Sequence, residues 1–173
     1  HDQLRLFDYS AEHFTVVHAP DQISMGELAA RSFINKPKSS IAVGFSLLKS
    51  GEIDSFASAG NSGAMMVGSA MLIKTVNGIL RPTTSAGLPQ ENGSTSFLLD
   101  VGTNPDCKAE NLYQFGLLGS LYAHYVHNIS TPRVGLLNIG EEDKKGNMLT
   151  RQAYELMNAS NDFYFVGNIE GRD

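Results

Sequence analysis

Four short stretches gather glycine, asparagine and charge in a combination that can cradle an anion: Ala59-Gly60-Asn61-Ser62-Gly63, Gly102-Thr103-Asn104-Pro105-Asp106-Cys107-Lys108, Gly140-Glu141-Glu142-Asp143-Lys144-Lys145-Gly146-Asn147 and Gly167-Asn168-Ile169-Glu170-Gly171-Arg172-Asp173. Each holds a Gly and an Asn, and three hold a cation. Glycine lets a backbone approach a ligand closely or adopt positive φ. A helix that starts straight after such a loop aims free N–H groups and the positive end of its dipole at whatever lies ahead of it. That environment suits phosphate, or a thioester oxygen gaining charge. Gly and Asn are also what ordinary short turns contain. For one loop both readings stand, and four loops at one edge of a sheet favour a site.

Other signatures of chemistry are absent or poorly matched. The chain has neither the G-x-G-x-x-G dinucleotide fingerprint nor the G-x-x-x-x-G-K-[ST] phosphate loop. Gly60-Asn61-Ser62-Gly63-Ala64 has Ala where the nucleophile elbow G-x-S-x-G ends in Gly, which argues against Ser62 as a hydrolase nucleophile. His124 and His127 lie three apart on a helical segment with no carboxylate between them, the pattern of structural histidines rather than metal ligands. The run from Glu141 to Lys145 reads as a solvated charge cluster, or, after a buried strand and ahead of Gly146-Asn147, as the source of a cleft lysine. Asp106 and Lys108 carry the same two readings. Asp100, inside an apolar strand beside Gly102, is a loop organiser before it is a catalytic carboxylate.

The elements that must position these loops follow from periodicity. Residues 14–18 (FTVVH), 54–58 (DSFAS), 96–101 (SFLLDV), 133–139 (RVGLLNI) and 163–166 (FYFV) read as strands, being brief and rich in β-branched or aromatic residues. Helical spacing marks residues 40–50, stopped by Gly51, then 65–76 and 109–127, with a further helix from 151 capped by the Thr150 hydroxyl. Strand, polar loop and helix in alternation predict an α/β fold with a mostly parallel sheet covered on both faces. Ligands in such sheets collect at the carboxyl ends of the strands, where the four loops lie. Residues 82–94 (PTTSAGLPQENGS) are predicted to be a turn-rich excursion or edge connection.

Composition bounds the remaining classes. With 173 residues, 42% hydrophobic, 18% charged and a net charge of −5, the chain reads as one globular α/β domain. It carries no Lys/Arg stripe, which argues against a nucleic-acid partner. The single Cys107 supports neither a disulfide framework nor a Cys-rich metal site, and points to a reducing, cytoplasmic compartment. The chain starts at His1 without an initiator Met and stops at Asp173, which suggests part of a longer protein.

The loop sequences also carry a family likeness. SAGNSGA at 58–64, LLDVGTNPDCKAENLYQF at 98–115, PRVGLLNIGEEDKKGN at 132–147 and GNIEGRD at 167–173 closely resemble the bacterial phosphate acyltransferases, which make acyl phosphate from acyl carrier protein. Ser62 stands where Thr is usual in the family, and Thr103 and Pro105 replace smaller residues around Asn104. The family's opening Asp-Ala-Met-Gly-Gly-Asp loop and its later Asp-Gly-Phe-x-Gly-Asn loop are absent, so the resemblance implies a central piece lacking both ends.

What the resemblance implies is a three-layer α/β/α sandwich of the isopropylmalate dehydrogenase and phosphotransacetylase type. It implies a homodimer with no metal and no other cofactor, cytoplasmic and docked peripherally on the inner face of the membrane. The implied reaction joins orthophosphate to the acyl group of acyl-[acyl carrier protein] for bacterial phospholipid synthesis. The reading of the residues fits that reaction: the N–H groups from Asn61 through Ser62 and Gly63 to Ala64, with Gly60 beside them, are expected to bind phosphate or the oxyanion. Lys145 supplies the charge that holds phosphate or eases departure of the thiolate. Asn104, Lys108 and Asn147 are polar positioning groups, Asn104 placed with Lys145 at the catalytic centre, and Asp106 and Asn168 complete the substrate contacts. Two rival readings remain: a phosphotransacetylase-like transferase acting on coenzyme A thioesters, and a non-catalytic module that binds phosphate or acyl carrier protein.

Overall fold

The computed structural model describes residues 14–173, which divide after Ile73 into two compact units. The first unit is helical: α1 (Ala29–Asn35), α2 (Ser40–Ser50) and α3 (Ser62–Gly68), which runs on into a single π-helical turn at Ser69–Ile73. α2 begins where the buried Ser39 accepts the Ala42 N–H and stops at Gly51, whose φ of 76° is the left-handed conformation that Gly adopts without steric cost. Its buried face supplies Ile41, Ala42 and Phe45 to a core completed by Ile23, Phe33 and Ala64. Phe45 meets Phe33 and Phe56 edge to face, at centroid distances of 6.3 and 5.2 Å. α3 crosses this cluster at Gly68, where a Cβ would stand 2.3 Å from the Phe45 ring.

Two expected strands do not form. Residues 14–18 and 54–58 have no ladder in the structure, and the described part of the first unit contains only one isolated bridge, Asp21 to Ser39. Their composition favours extended backbone, but a strand exists only where a neighbour accepts its N–H groups and donates to its carbonyls. Phe56 is held instead by its ring contact with Phe45. The helix expected at 65–76 starts earlier, because Asn61 caps it, and ends earlier, at the π turn before Lys74.

The second unit is mixed α/β. β1 (Ser85–Pro89) and β2 (Thr95–Leu99) form an antiparallel hairpin, with Ser85 opposite Leu99 and Pro89 opposite Thr95. The stretch expected to be an excursion therefore supplies a strand, and Gly93 at φ 82° closes the turn. Next come α4 (Ala109–His127), β3 (Arg133–Leu137), α5 (Met148–Asn158) and β4 (Tyr164–Ile169). β3 and β4 pair in parallel across the α5 connection, with an irregularity between Val134 and Leu136. This is the βαβ unit that the alternation of elements predicts.

Ala109, Leu136, Ala153 and Met157 form its buried core, with Leu112, Phe163 and Phe165 packed against them. α5 carries a correction at its start: the Asn147 carboxamide, not the Thr150 hydroxyl, caps it, accepting the Thr150 N–H at 3.0 Å. Asn is among the strongest N-cap residues, and here it precedes the first helical residue directly.

Candidate functional site

In the first unit, residues 58–64 are organised by Asn61, which is buried. Its Oδ1 accepts the Ala64 N–H at 2.9 Å, and its Nδ2 donates to the carbonyls of Ser24, Met25 and Glu27 at 3.0, 3.3 and 3.4 Å. Ala64 is fully buried, and Gly63 lies against α1, where a Cβ would come within 2.9 Å of the Ala29 Cβ. The Gly60 N–H donates to Ser58 Oγ at 3.1 Å. Ser62 is exposed, and its N–H and that of Gly63 precede the first intrahelical bond. The facing turn is tied by Glu27, which accepts from the Lys36 ammonium at 2.8 Å, the Ser24 N–H at 2.8 Å and Ser32 Oγ at 2.7 Å. Those bonds, Lys36 foremost, hold its carboxyl at a pKa of about 2.

In the second unit, Asp100 organises residues 100–108. Its Oδ1 accepts from Thr83 Oγ1 and from the Thr84 N–H and hydroxyl at 3.0, 3.2 and 3.2 Å, and its Oδ2 from the N–H groups of Thr103 and Asn104 at 2.9 and 2.7 Å. Burial pushes this carboxyl's pKa up, but the hydrogen bonds from Asn104, Thr84, Thr83 and Thr103 outweigh it and the net shift is downward. Asn104 spends one amide hydrogen on the Pro82 carbonyl at 3.0 Å. Cys107 Sγ donates to the Asn104 carbonyl at 3.3 Å, and burial, then the nearby Asp100 carboxylate, raise its pKa. A thiol held protonated in this way is a poor nucleophile. Asp106 and Lys108 are exposed, the Asp106 carbonyl accepts from Arg81, and the Lys108 N–H donates to Asn111 Oδ1 at the start of α4.

The third loop, residues 138–147, joins β3 to α5 and is held by a closed circuit of hydrogen bonds. Asn138 Nδ2 donates to Asn168 Oδ1 at 3.1 Å and to the Lys145 carbonyl at 3.2 Å. Asn168 Nδ2 donates to the Glu142 carbonyl at 2.9 Å, and that carbonyl also accepts the Lys145 N–H at 2.9 Å. Gly146, at φ 88°, lies so close that a Cβ would stand 2.0 Å from Thr150 Oγ1 and 2.5 Å from Asn138 Oδ1. The Lys145 stem runs over the buried Gly140, where a Cβ would meet its Cγ at 3.0 Å. Its ammonium lies 3.4 Å from Glu142 Oε1, half exposed to solvent.

Glu142 titrates below the usual carboxylate range, first through its own backbone N–H and also through Lys145. Of the other charges nearby, Arg172 pairs with Glu170 at 3.2 Å and Glu141 at 3.5 Å, and Asp143 accepts from Tyr154 at 2.7 Å, which raises the Tyr154 pKa, while Lys144 is exposed. Leu137, Asn138, Ile139, Gly146, Asn147 and Thr150 line an open cleft of about 440 Å³ beside this loop. A second cleft of about 300 Å³, lined by Tyr113, Leu156 and Ser160 among others, holds none of the residues nominated from sequence.

The structure thus brings Lys145, Asn147 and Asn168 together at the carboxyl ends of β3 and β4. Asn104, Asp106 and Lys108 belong to a separate arrangement around Asp100, with no hydrogen bond to the 138–147 loop among the described residues. Asn138 was missed in the sequence, although an Asn ending an apolar strand just before Gly marks a side chain able to bond back to the loop it starts. Among the described residues no group of three or more His, Cys, Asp or Glu is placed to hold a metal, and no helix is long and apolar enough to cross a membrane.

A model of the fatty acid synthesis protein family matches residues 4–173. The chain belongs to that family. It is 46% identical over 172 residues to a phosphate acyltransferase of Thermoanaerobacterium thermosaccharolyticum, covering 99% of this chain and 51% of that protein. A phosphate acyltransferase of Caldanaerobacter subterraneus subsp. tengcongensis is 41% identical over the same length and coverage, and one of Acidobacterium capsulatum is 44% identical over 158 residues, 91% of this chain and 46% of that protein. The chain spans about half the length of these relatives. The family match runs through all four glycine and asparagine loops.

Proposed function

We propose that this chain is the central part of a phosphate acyltransferase that transfers the acyl group of acyl-[acyl carrier protein] to orthophosphate for phospholipid synthesis. The observation that carries the reading is the family match over residues 4–173. Site geometry supports it. The reaction needs no protein nucleophile, because phosphate brings its own. A phosphate oxygen attacks the thioester carbonyl carbon, the C–O bond forms and the C–S bond breaks, and the phosphate proton ends on the departing sulfur. The protein has to align two anionic partners and stabilise the oxyanion.

Lys145 is the charge for that task, in a loop held on both sides of its own peptide unit. Its pairing with Glu142 is exposed, and pairs of that kind contribute only about 0–1 kcal/mol, so an incoming phosphate displaces the carboxylate at small cost. Within the first unit, the Ser62 and Gly63 amides are free to bind an anion, held in place by Asn61 and Ala64. Asn147 is the polar group beside Lys145, Asn168 acts through the loop it supports, and Asn104, with Asp106 and Lys108, offers a second polar cluster to the substrates. The chain takes its place in a single α/β domain, a three-layer sandwich that includes the rest of the full-length protein. That protein is a homodimer in the cytoplasm, docked on the inner membrane face.

The test is acyl phosphate formation by the full-length protein, trapped with hydroxylamine, with acyl carrier protein and coenzyme A thioesters compared as donors. Phosphate-dependent loss of the acyl carrier protein thioester is expected. A preference for coenzyme A would make it phosphotransacetylase-like, and a folded protein giving no trapped product would be a binding module. Lys145→Ala is expected to lower turnover about a hundredfold; unchanged turnover would remove Lys145 from the mechanism.

A further inference from the structure

We infer that Asn138 is the positioning residue of the phosphate site: its carboxamide fixes the Lys145 peptide and so sets where the ammonium meets the anion. The inference rests on the proposed role of Lys145 and goes beyond it, to a residue that no reading of the motifs had nominated. Its basis is geometric. A lysine on a free surface loop samples many rotamers, and ordering it at a ligand costs side-chain entropy. Here the freedom is already reduced at three points. The Lys145 carbonyl accepts from Asn138 Nδ2 at 3.2 Å, its N–H donates to the Glu142 carbonyl at 2.9 Å, and its stem crosses Gly140 closely, its Cγ 3.0 Å from where a Cβ would stand.

Asn138 is itself fixed at both ends. Its Oδ1 accepts the Ile139 N–H at 2.9 Å, its Nδ2 is shared with Asn168 Oδ1, and its own N–H donates to the Ile169 carbonyl of β4 at 2.8 Å. The rigid parallel pair therefore dictates the height of the loop above the strand ends, and Asn138 transmits it. Support of this kind, one shell behind the group that touches the ligand, is what holds a site within the fraction of an ångström it needs.

Titration of the full-length protein with inorganic phosphate, followed by calorimetry, tests this in wild type, Asn138→Ala, Lys145→Ala and the double variant, with thermal midpoints alongside. Each single change is expected to weaken phosphate binding about tenfold, and the double variant by no more than about twofold beyond Lys145→Ala, because Asn138 acts through Lys145. A merely structural Asn138 would weaken both backgrounds equally, and that additive result overturns the inference, as does wild-type affinity in Asn138→Ala. Should Asn138→Ala fail to fold, Asn138→Asp keeps the acceptor for the Ile139 N–H and loses the donor to the Lys145 carbonyl; it too is expected to weaken phosphate binding more in wild type than in Lys145→Ala, and an equal loss in both overturns the inference. A wild type that binds phosphate but forms no acyl phosphate sinks the proposed reaction and leaves Asn138 to be judged on these affinities. A wild type that does not bind phosphate overturns both.

Discussion

The loops at 58–64 and 138–147 start from the same ingredients, Gly and Asn ahead of a helix, yet they use their asparagines in opposite ways. Asn61 turns inward: buried, it caps α3 and reaches three carbonyls of the turn at Ser24–Glu27, so its carboxamide is consumed by the first unit. The second loop divides that work. Asn147 caps α5, Asn138 and Asn168 clasp the loop, and the cation between them keeps its ammonium half exposed. A residue type that can cap, clasp or contact a ligand thus does only what its surroundings leave open. Where one Asn does everything, little is left for chemistry beyond backbone amides; where three share the support, a side chain is freed.

Substitutions sharpen this contrast, beginning with the strongest. Asn61→Ala removes a buried cap and strands three carbonyls, and is expected to destabilise the protein by about 2–3 kcal/mol in chemical denaturation. Asn147→Ala removes an exposed cap alone, and about 1 kcal/mol is expected in the same measurement. Equal losses at the two positions would erase the distinction. The turn that Asn61 grips adds an acid sensitivity. Because Glu27 titrates at about 2 in the folded chain, below the 4.5 of the free side chain, its contribution is complete above pH 4.5 and fades as pH falls towards 2. Glu27→Gln is therefore expected to flatten the fall in denaturation midpoint between pH 5 and pH 2.5, and an unchanged slope would assign that fall to other groups. Lys145→Ala is the smallest: it leaves stability within about 0.5 kcal/mol, as an exposed pair should, while weakening phosphate binding.

Sequence reading was strongest where the signal is local. Residues 40–50 and 109–127 are the helices that their apolar spacing marks, and Asp100 is the loop organiser that its place beside Gly102 suggests. It was weakest where a partner decides. Val16 and Val17 look like strand residues and form no ladder, whereas Ser-Ala-Gly-Leu-Pro at 85–89 has little strand character and is a strand because Thr95–Leu99 pairs with it. The candidate lysine was visible as a charge after an apolar strand, but its support was not. The Asn138–Asn168 contact spans thirty positions of sequence, and no periodicity or short motif reports a bond of that length.

The clasp beneath Lys145 has one more consequence, for the tolerated length of the chain. Surface connections normally accept insertions and deletions, because nothing counts their residues. Between Asn138 and Asn147 the residues are counted: the carbonyls of Glu142 and Lys145 must arrive at two side-chain amides fixed to adjacent strand ends. Adding or removing one residue there puts the wrong peptide at each amide, so an insertion scan should find this segment as intolerant as a buried strand.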